Sequence, residues 1–194
     1  TRGNGLVRLD PGAWSTLDEG AGLKGKIVFG FAESATALYV VTADEGLNRI
    51  GERGGIESVP LPSGSAITLH ASNGDLWIGT TQGMVYRLRG KDFQAFGPQE
   101  GLPSFPVRDI RAVPGEKGQP PTLWAASFGG GLLRWEGGRW LRLGKEEGIP
   151  DEQIKRLCVS RWSPSPRLYV GTPTGLFLVE RRNGAWVPRP GPQV

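Results

Sequence analysis

The sequence has 194 residues, which is enough for one ordinary domain or two small ones. It contains 31 Gly and 16 Pro, but 38% of the residues are hydrophobic and 7 are Trp, so we expect many short elements rather than disorder or long helices. The net charge of +4 arises from 23 basic and 19 acidic residues scattered along the chain, which argues against a nucleic-acid partner.

Residues suited to metal or nucleophilic chemistry are scarce. Cys158 is the single cysteine, which excludes an intrachain disulfide and a thiolate metal site, and we expect it to be buried and inert on a strand. His70 is the single histidine, and we expect its side chain either to have a structural role or to be exposed to solvent. No apolar stretch approaches the roughly 18 residues of a membrane span, so we expect no direct membrane insertion.

An apolar and aromatic strand recurs along the chain, each time followed by a Thr- or Ser-led turn, a glycine and a second strand. Successive copies are 38, 47 and 45 residues apart, close to the period of roughly 40–50 residues that is typical of β-propeller blades. The copies begin at Leu38, Leu76, Leu123 and Leu168. Residues 1–6 align with residues 42–47, so a truncated copy is predicted to precede the four complete ones.

The predicted architecture is all-β, with antiparallel four-stranded blades whose strands we call A to D in chain order. The partial blade at residues 1–18 is expected to hold only strands C and D. Two dipeptides between strands C and D are suited to tight hairpin turns. They are Gly137-Gly138 and Asn183-Gly184. The complete blades are predicted at residues 26–61, 65–97, 107–144 and 154–189.

Strand B of each predicted blade carries one large aromatic residue at the same position. These residues are Tyr39, Trp77, Trp124 and Tyr169. Apolar neighbours place a bulky side chain on each face of the strand, which indicates a sheet covered on both sides. We therefore expect the four aromatic side chains to be buried between blades.

Short sequence motifs before and after strand B also recur within these repeats. Gly101-Leu102-Pro103 leads to Val107-Arg108-Asp109-Ile110, and Leu76-Trp77-Ile78-Gly79-Thr80 and Gly131-Leu132-Leu133-Arg134 supply the later parts of the pattern. In this respect the chain resembles the two-component regulator propeller repeat family. Some copies depart from the pattern, because Pro60-Leu61-Pro62-Ser63 replaces Gly-Leu-Pro and Leu178 stands where other copies have an arginine.

The resemblance implies a non-catalytic, ligand-sensing or interaction propeller that forms the input portion of a bacterial signal-transduction sensor. It also implies a periplasmic or extracellular location and a ring of about seven blades, of which this chain would supply an incomplete arc. Such an arc exposes apolar blade faces near residues 6–14 and 176–186. We expect these open faces to drive self-association.

Ligand-binding candidates lie in the B–C and D–A turns, which share one face of a propeller. They are Asp44, Glu45, Gln82, Ser104, Phe105, Phe128, Gln153 and Thr174. Their mixture of aromatic, amide, hydroxyl and carboxylate groups suits a carbohydrate or a peptide. A second recurrent set on strand C is expected to pack its stems between blades and to pair its charged heads with nearby acids. That set is Arg8, Arg49, Arg87 and Arg134.

Two other functions remain open from the residues alone. A propeller enzyme acting on carbohydrate, either a lyase or a glycosidase, needs facing carboxylates, and the acid pairs Asp18-Glu19 and Glu146-Glu147 lie in D–A connections. We expect these acids to be solvated, and we predict no catalytic residue, metal ligand or cofactor. A bare scaffold for protein assembly is the other alternative. A cluster of acids with perturbed pKa values would favour the enzyme, and a broad exposed apolar patch would favour the scaffold.

Overall fold

The computed structural model describes residues 5–43, 46–115, 118–160 and 166–191. Short β-strands separated by turns dominate these residues, as the Gly and Pro content predicts. The strands are β1 (Leu6–Asp10), β2 (Ala13–Leu17), β3 (Val28–Glu33), β4 (Ala37–Thr42), β5 (Gly46–Gly51), β6 (Ile56–Val59), β7 (Ala66–Ser72), β8 (Asp75–Thr80), β9 (Val85–Arg89), β10 (Asp92–Phe96), β11 (Val107–Val113), β12 (Thr122–Ser127), β13 (Gly131–Glu136), β14 (Arg139–Leu143), β15 (Arg156–Ser160), β16 (Arg167–Thr172), β17 (Gly175–Arg182) and β18 (Ala185–Pro190).

The strands form antiparallel sheets in chain order. A two-stranded sheet of β1 and β2 comes first, and four-stranded sheets of β3–β6, β7–β10, β11–β14 and β15–β18 follow. Each four-stranded sheet has the predicted order from A to D, with neighbouring strands joined by turns. The prediction of an all-β chain with antiparallel four-stranded blades is therefore confirmed.

Helical structure is confined to short turns in the part of the chain that the structure describes. Three 3-10 helices of three residues each are present, at Glu19–Ala21, Pro98–Glu100 and Lys145–Glu147. Acids from both predicted pairs serve these turns: Asp18 accepts a hydrogen bond from the Ala21 amide, and Glu147 accepts one from the Gly144 amide. None of the described helices has the length and apolar character needed to cross a membrane.

The described residues belong to two compact units. The first comprises the described parts of Thr1–Thr81 and Tyr86–Gln94, and the second comprises Gln82–Val85 and the described parts of Ala95–Val194. In the first unit, buried Val40 and Ile50 of the sheet β3–β6 pack with partly buried Leu6 and Leu17. Residues of the two-stranded sheet therefore pack against strands β4 and β5 of the sheet that follows it.

The core of the second unit lies between the sheets β11–β14 and β15–β18. Trp124 is fully buried there in a cluster with Leu157, Val170 and Phe177. Its ring makes an edge-to-face contact with Trp186, with centroids 5.2 Å apart. Aromatic pairs in this arrangement add stability beyond the area that they bury. The large residue on strand B thus joins one blade to the next, as predicted.

The predicted burial of the strand B aromatic residues holds for Tyr39, Trp77 and Trp124 but is wrong for Tyr169, which is half-buried. The prediction that Cys158 is buried is also wrong, because its side chain is exposed. Cys158 lies directly opposite Tyr169, so both side chains share one face of the last sheet. The strands β11 and β12 pack against the other face, where Leu157 lies. Both errors therefore have one cause, since the described residues place no sheet over this face.

Two of the recurrent arginines of strand C, Arg49 and Arg134, pair with nearby acids, as predicted. Arg49 binds Glu57 at 2.9 Å, and Arg134 forms an ion pair with Glu136. The Arg87 guanidinium lies 5.7 Å from the centre of the Trp77 ring, a cation–π geometry. Leu178 occupies the corresponding position in the last sheet, where it lies opposite Tyr169 as Arg49 lies opposite Tyr39.

Asp109 is a buried carboxylate that the sequence analysis did not single out. It lies on β11 and accepts hydrogen bonds from the backbone amides of Ile110 and Leu157, each at 2.9 Å. Arg111 forms an ion pair with it at 3.0 Å. Burial raises the pKa of Asp109 above its ordinary value, although the Leu157 amide and the positive charge of Arg111 act in the opposite direction. The carboxylate joins strand A of one blade to strand A of the next.

Replacement of Trp124 by Ala should lower the free energy of unfolding by about 3–5 kcal/mol, because a fully buried indole leaves a large cavity.

Tyr39→Ala and Tyr169→Ala form a matched pair at equivalent strand positions. We expect the larger loss at buried Tyr39 and a clearly smaller one at half-buried Tyr169. Urea unfolding monitored by circular dichroism measures all three. Equal losses for the two tyrosines would contradict the assignment of the covered faces.

The raised pKa of Asp109 predicts a pH dependence. The folded state keeps the proton at pH values where the unfolded chain, with an aspartate pKa of about 3.9, has already lost it. Asp109 therefore contributes stability that declines as pH rises from about 4 through the folded-state pKa. We expect the stability of the wild type relative to Asp109→Asn to fall with pH over this interval in a series of urea titrations. If the stability of the wild type relative to Asp109→Asn rises with pH, the prediction is refuted.

Candidate functional site

Several predicted binding residues of the second unit lie on turns that are joined by backbone hydrogen bonds. Phe128, in the turn after β12, forms an antiparallel bridge with Gln153, which precedes β15. The amides of Gly129 and Gly131 both donate to the Glu152 carbonyl, at 3.0 and 3.1 Å. The B–C turn of one blade is thus fixed to the connection that enters the next blade.

Phe105 lies next to this turn and is 47% exposed. Its ring abuts Gly129, where an added Cβ would lie 2.9 Å from the Phe105 Cδ1 atom. Gly129 also has a φ of +105°, so a larger residue is disfavoured there on both counts. The Phe128 amide donates to the Pro106 carbonyl at 2.9 Å, and the Arg108 guanidinium lies 5.5 Å from the centre of the Phe128 ring. The Phe105 ring therefore lies beside Gly129, and the Phe128 ring lies beside the Arg108 cation.

The turn that contains Gln82 approaches the loop that contains Ser104. An added Cβ on Gly83 would lie 2.7 Å from the Pro103 carbonyl oxygen and 2.8 Å from the Phe105 amide nitrogen. This close backbone approach, at a φ of +86°, requires glycine. Gln82 and Ser104 are both exposed beside it.

Thr174 extends the same arrangement to the last blade. Its hydroxyl donates to Asp151 Oδ2 at 3.0 Å, and Asp151 Oδ1 accepts the Gln153 amide at 2.9 Å. The turn after β16 therefore contacts the loop that carries Gln153. The two remaining predicted residues, Asp44 and Glu45, lie outside the described residues.

These six residues form what we call the loop face. Its members are Gln82, Ser104, Phe105, Phe128, Gln153 and Thr174. Together they present aromatic surface, two amides and two hydroxyls. Backbone hydrogen bonds join the loops of Phe105, Phe128 and Gln153, whereas a side-chain hydrogen bond joins Thr174 and close backbone approach places Gln82. Such a set can stack on a flat apolar surface and exchange hydrogen bonds with polar groups of a ligand. Among the described residues, no three His, Cys, Asp or Glu side chains are grouped to hold a metal ion.

A concave surface lies in the first unit, formed by residues that the sequence analysis did not predict as a site. It is a cleft of about 1100 Å³ bordered by the turns at residues 34–36, 73–74 and 90–91. These turns join strands A to B and C to D, so they lie at the opposite ends of the strands from the B–C and D–A turns. Val59, Leu76 and Leu88 contribute apolar lining, and Phe93 is half-buried at its side.

Ion pairs border the cleft. Arg49 binds Glu57 at 2.9 Å, and this hydrogen bond raises the pKa of the Arg49 guanidinium. Arg89 forms a two-point ion pair with buried Asp75, at 2.6 and 2.8 Å, which likewise raises the pKa of Arg89. Arg49 and Arg89 are therefore each already paired with an acid at the cleft. The one sequence signal near it was the departure at Pro60–Ser63, which follows the short strand β6.

Comparison with known proteins identifies the fold. No protein-family model matches the sequence, and no curated protein matches it. Among solved structures, the chain is similar to the WD40 β-propeller domain of Doa1, with 12% identity and a TM-score of 0.61 over 84% of this chain and 54% of that one. It is also similar to BBS1N in its complex with ARL6DN, with 12% identity and a TM-score of 0.64 over 84% of this chain and 49% of that one.

A third similar structure is the computationally designed protein Ika8, with 12% identity and a TM-score of 0.61 over 86% of this chain and 50% of that one. The chain thus spans about half the length of each of these three solved structures. At such low identity the likeness extends to the fold alone. Together with the antiparallel four-stranded sheets in chain order, it establishes that the chain has a β-propeller fold.

Proposed function

We propose that the chain is a non-catalytic binding propeller that recognises a peptide or carbohydrate at the loop face. One observation carries this proposal: loops from successive blades are bonded to one another there, while Phe105 and Gln153 remain exposed. Loops held by a rigid scaffold lose little conformational entropy on binding, which favours affinity. The exposed Phe105 ring offers contact area to a ligand, and the Gln153 amide can orient the ligand through hydrogen bonds.

The resemblance of the repeats extends the proposal to a cellular role. We infer that the chain is the input portion of a bacterial sensor, outside the cytoplasm, and belongs to a larger propeller. Its span of about half the length of the similar solved propellers supports the last point. Because Glu152 joins two blades at the loop face, a ligand bound there can change how adjacent blades pack. Such a change is the signal that an output domain would receive.

The electrostatics support binding rather than catalysis. Asp109 has a raised pKa, but its carboxylate is almost fully buried and already bound by two backbone amides and Arg111. Asp151 is bound by Thr174 and by the Gln153 amide. A general acid or base needs access to substrate, and these contacts occupy the carboxylate oxygens.

A scaffold for protein assembly is the second candidate, and a different surface favours it. Large apolar side chains are exposed on the first strands of the chain, which is the kind of patch expected for a protein contact. They include Leu9, Trp14, Phe29 and Phe31. BBS1N, one of the similar propellers, was solved in complex with a protein, ARL6DN.

The test is a titration of isotope-labelled protein with panels of oligosaccharides and of short peptides, followed by NMR. We expect saturable shift changes centred on the loop face. Phe105→Ala and Gln153→Ala should each weaken binding roughly tenfold, equivalent to about 1.4 kcal/mol. Leu141→Ala is the matched control, because Leu141 is an exposed apolar residue of the same unit on the outer strand β14.

Three results would contradict the proposal. Shift changes centred on the cleft of the first unit would show that the ligand binds there and not at the loop face. Absence of binding in both panels would contradict a peptide or carbohydrate ligand. Cleavage of an oligosaccharide that is lost in a folded Asp109→Asn variant would favour the enzyme instead.

A further inference from the structure

A β-bulge recurs near the start of strand A, and the residue at the bulge differs between the two units. In β11 the bulge lies between Val107 and Asp109, so Arg108 is the extra residue, without a partner on the neighbouring strand. The same irregularity makes Phe29 the extra residue in β3 and Ile67 the extra residue in β7. Bulges change the direction of a side chain and are common beside binding and active sites.

The last sheet has cations at the corresponding place. Arg156 lies opposite Gly171, as Asp109 lies opposite its partner on strand B of the preceding sheet. Lys155 therefore corresponds to Arg108, and Arg156 follows it directly. Blade packing does not require charge here, because the corresponding residues of the first unit are uncharged. We call Arg108, Lys155 and Arg156 the basic cluster.

Arg156 is fixed in a way that leaves one edge of its guanidinium available. Its Nη1 atom donates to the Arg108 carbonyl at 3.1 Å and to the Lys155 carbonyl at 3.2 Å, which uses both Nη1 hydrogens. Its Nε and Nη2 atoms have no hydrogen-bond partner among the described residues. These two atoms form the edge of a guanidinium that can donate to both oxygens of one carboxylate.

The Arg108 guanidinium lies against an aromatic ring. It is 5.5 Å from the centre of the Phe128 ring, and in the described part of the chain its N–H groups make no hydrogen bond. Because Arg156 donates to the Arg108 carbonyl, the two side chains start from one place. That place belongs to the loop face, since Phe128 forms its backbone bridge with Gln153 there.

Acids close to the basic cluster are already bound within the chain. Asp109 accepts two backbone amides and forms an ion pair with Arg111 at 3.0 Å. Glu152 binds Arg142 at 2.7 Å, and Asp151 accepts the Thr174 hydroxyl and the Gln153 amide. The basic cluster therefore has an excess of positive charge with donors that an anion can use.

We propose that the basic cluster binds an aspartate or glutamate side chain of a peptide at the loop face. Arg156 donates from Nε and Nη2 to the two carboxylate oxygens, and Arg108 and Lys155 add positive charge. An apolar side chain of the same peptide packs on the exposed Phe105 ring. This inference rests on the proposed function, because it names the class of ligand that the loop face takes.

The neutral groups beside the basic cluster favour a peptide over an acidic oligosaccharide. A sugar ring has several hydroxyls that need partners when they lose water. Of residues 102–106 and 151–155, which directly precede β11 and β15, Ser104 and Gln153 are the exposed neutral polar ones. Phe105, which is 47% exposed, instead offers contact to an apolar side chain.

The probes are two arrays of capped hexapeptides. One array has glutamate at a fixed central position and all residue types elsewhere, and the other has glutamine in place of that glutamate. We expect the wild-type protein to bind the strongest glutamate peptides at least roughly tenfold more tightly than their glutamine counterparts. This preference should decline as salt is added, because the cations are exposed.

Calorimetry with the strongest glutamate peptide then tests the arginines. Arg156→Gln and Arg108→Gln should each weaken binding roughly tenfold, and Arg156→Lys should recover only part of the loss, because it keeps the charge without the paired donors. Arg139→Gln is the matched control, because Arg139 is an exposed arginine at the other end of the strands of the same unit. The Arg156 Nε–H signal in NMR should shift with the glutamate peptide and stay in place with the glutamine peptide.

Loss of fold is separated from loss of binding by the Arg108→Gln variant, since the Arg108 side chain makes no hydrogen bond to described residues. Circular dichroism should show it to be folded. Phe105→Ala separates the inference from the proposed function, because it should weaken glutamate and glutamine peptides alike, whereas Arg156→Gln should weaken the glutamate peptides alone.

Three results would overturn the inference. Equal binding of glutamate and glutamine peptides at the loop face would remove the carboxylate contact and leave the proposed function intact. Absence of binding in both arrays, together with arginine-dependent binding of an oligogalacturonate, would replace the peptide by an acidic sugar. Absence of binding by both arrays and by the oligogalacturonate would contradict the inference and the proposed function together.

Discussion

A blade of this protein has apolar side chains on both faces, so it can bury them only against another blade. On β12, Trp124 points to one face and Ala125 to the other, and both are fully buried. Neither face can be left in water without losing roughly 25 cal/mol for each Å² of apolar surface exposed. The packing of neighbouring sheets therefore decides which residues are stable, which are exposed and where partners can bind.

The repeat pattern predicts the local structure well because it records local requirements. Strand order within each sheet, the turn at Asn183-Gly184 and the alternation of Trp124 and Ala125 between the two faces of β12 all follow from side-chain alternation and turn chemistry. Cys158 shows the limit: its neighbours in sequence resemble those of a buried strand, but exposure depends on a sheet that the described residues do not place there. Cover of this kind is a property of tertiary packing, and a strand's own residues do not encode it.

The candidate sites likewise combine features that the local sequence predicts with features that depend on tertiary packing. The sequence places Phe105 and Gln153 in turns of one type, and the structure brings these turns together through backbone bonds that involve Gly129 and Glu152. The bond from the Leu157 amide to Asp109 and the cleft near β6 depend on contacts between separate blades. No local pattern specifies which carboxylate such a contact will bury. The loop face was therefore predictable in kind, whereas the buried carboxylate and the cleft were not.

Amide hydrogen exchange tests most directly whether cover by neighbouring blades sets the stability of each sheet. Strands β12 and β16 are a matched pair, because both are six-residue B strands bonded on two sides, yet β12 is covered on both faces and β16 is not. In dilute solution we expect the amides of β12 to exchange roughly tenfold or more slowly than those of β16. Equal protection of the two strands would show that hydrogen bonding within the sheet is sufficient, and would contradict a stability set by neighbouring blades.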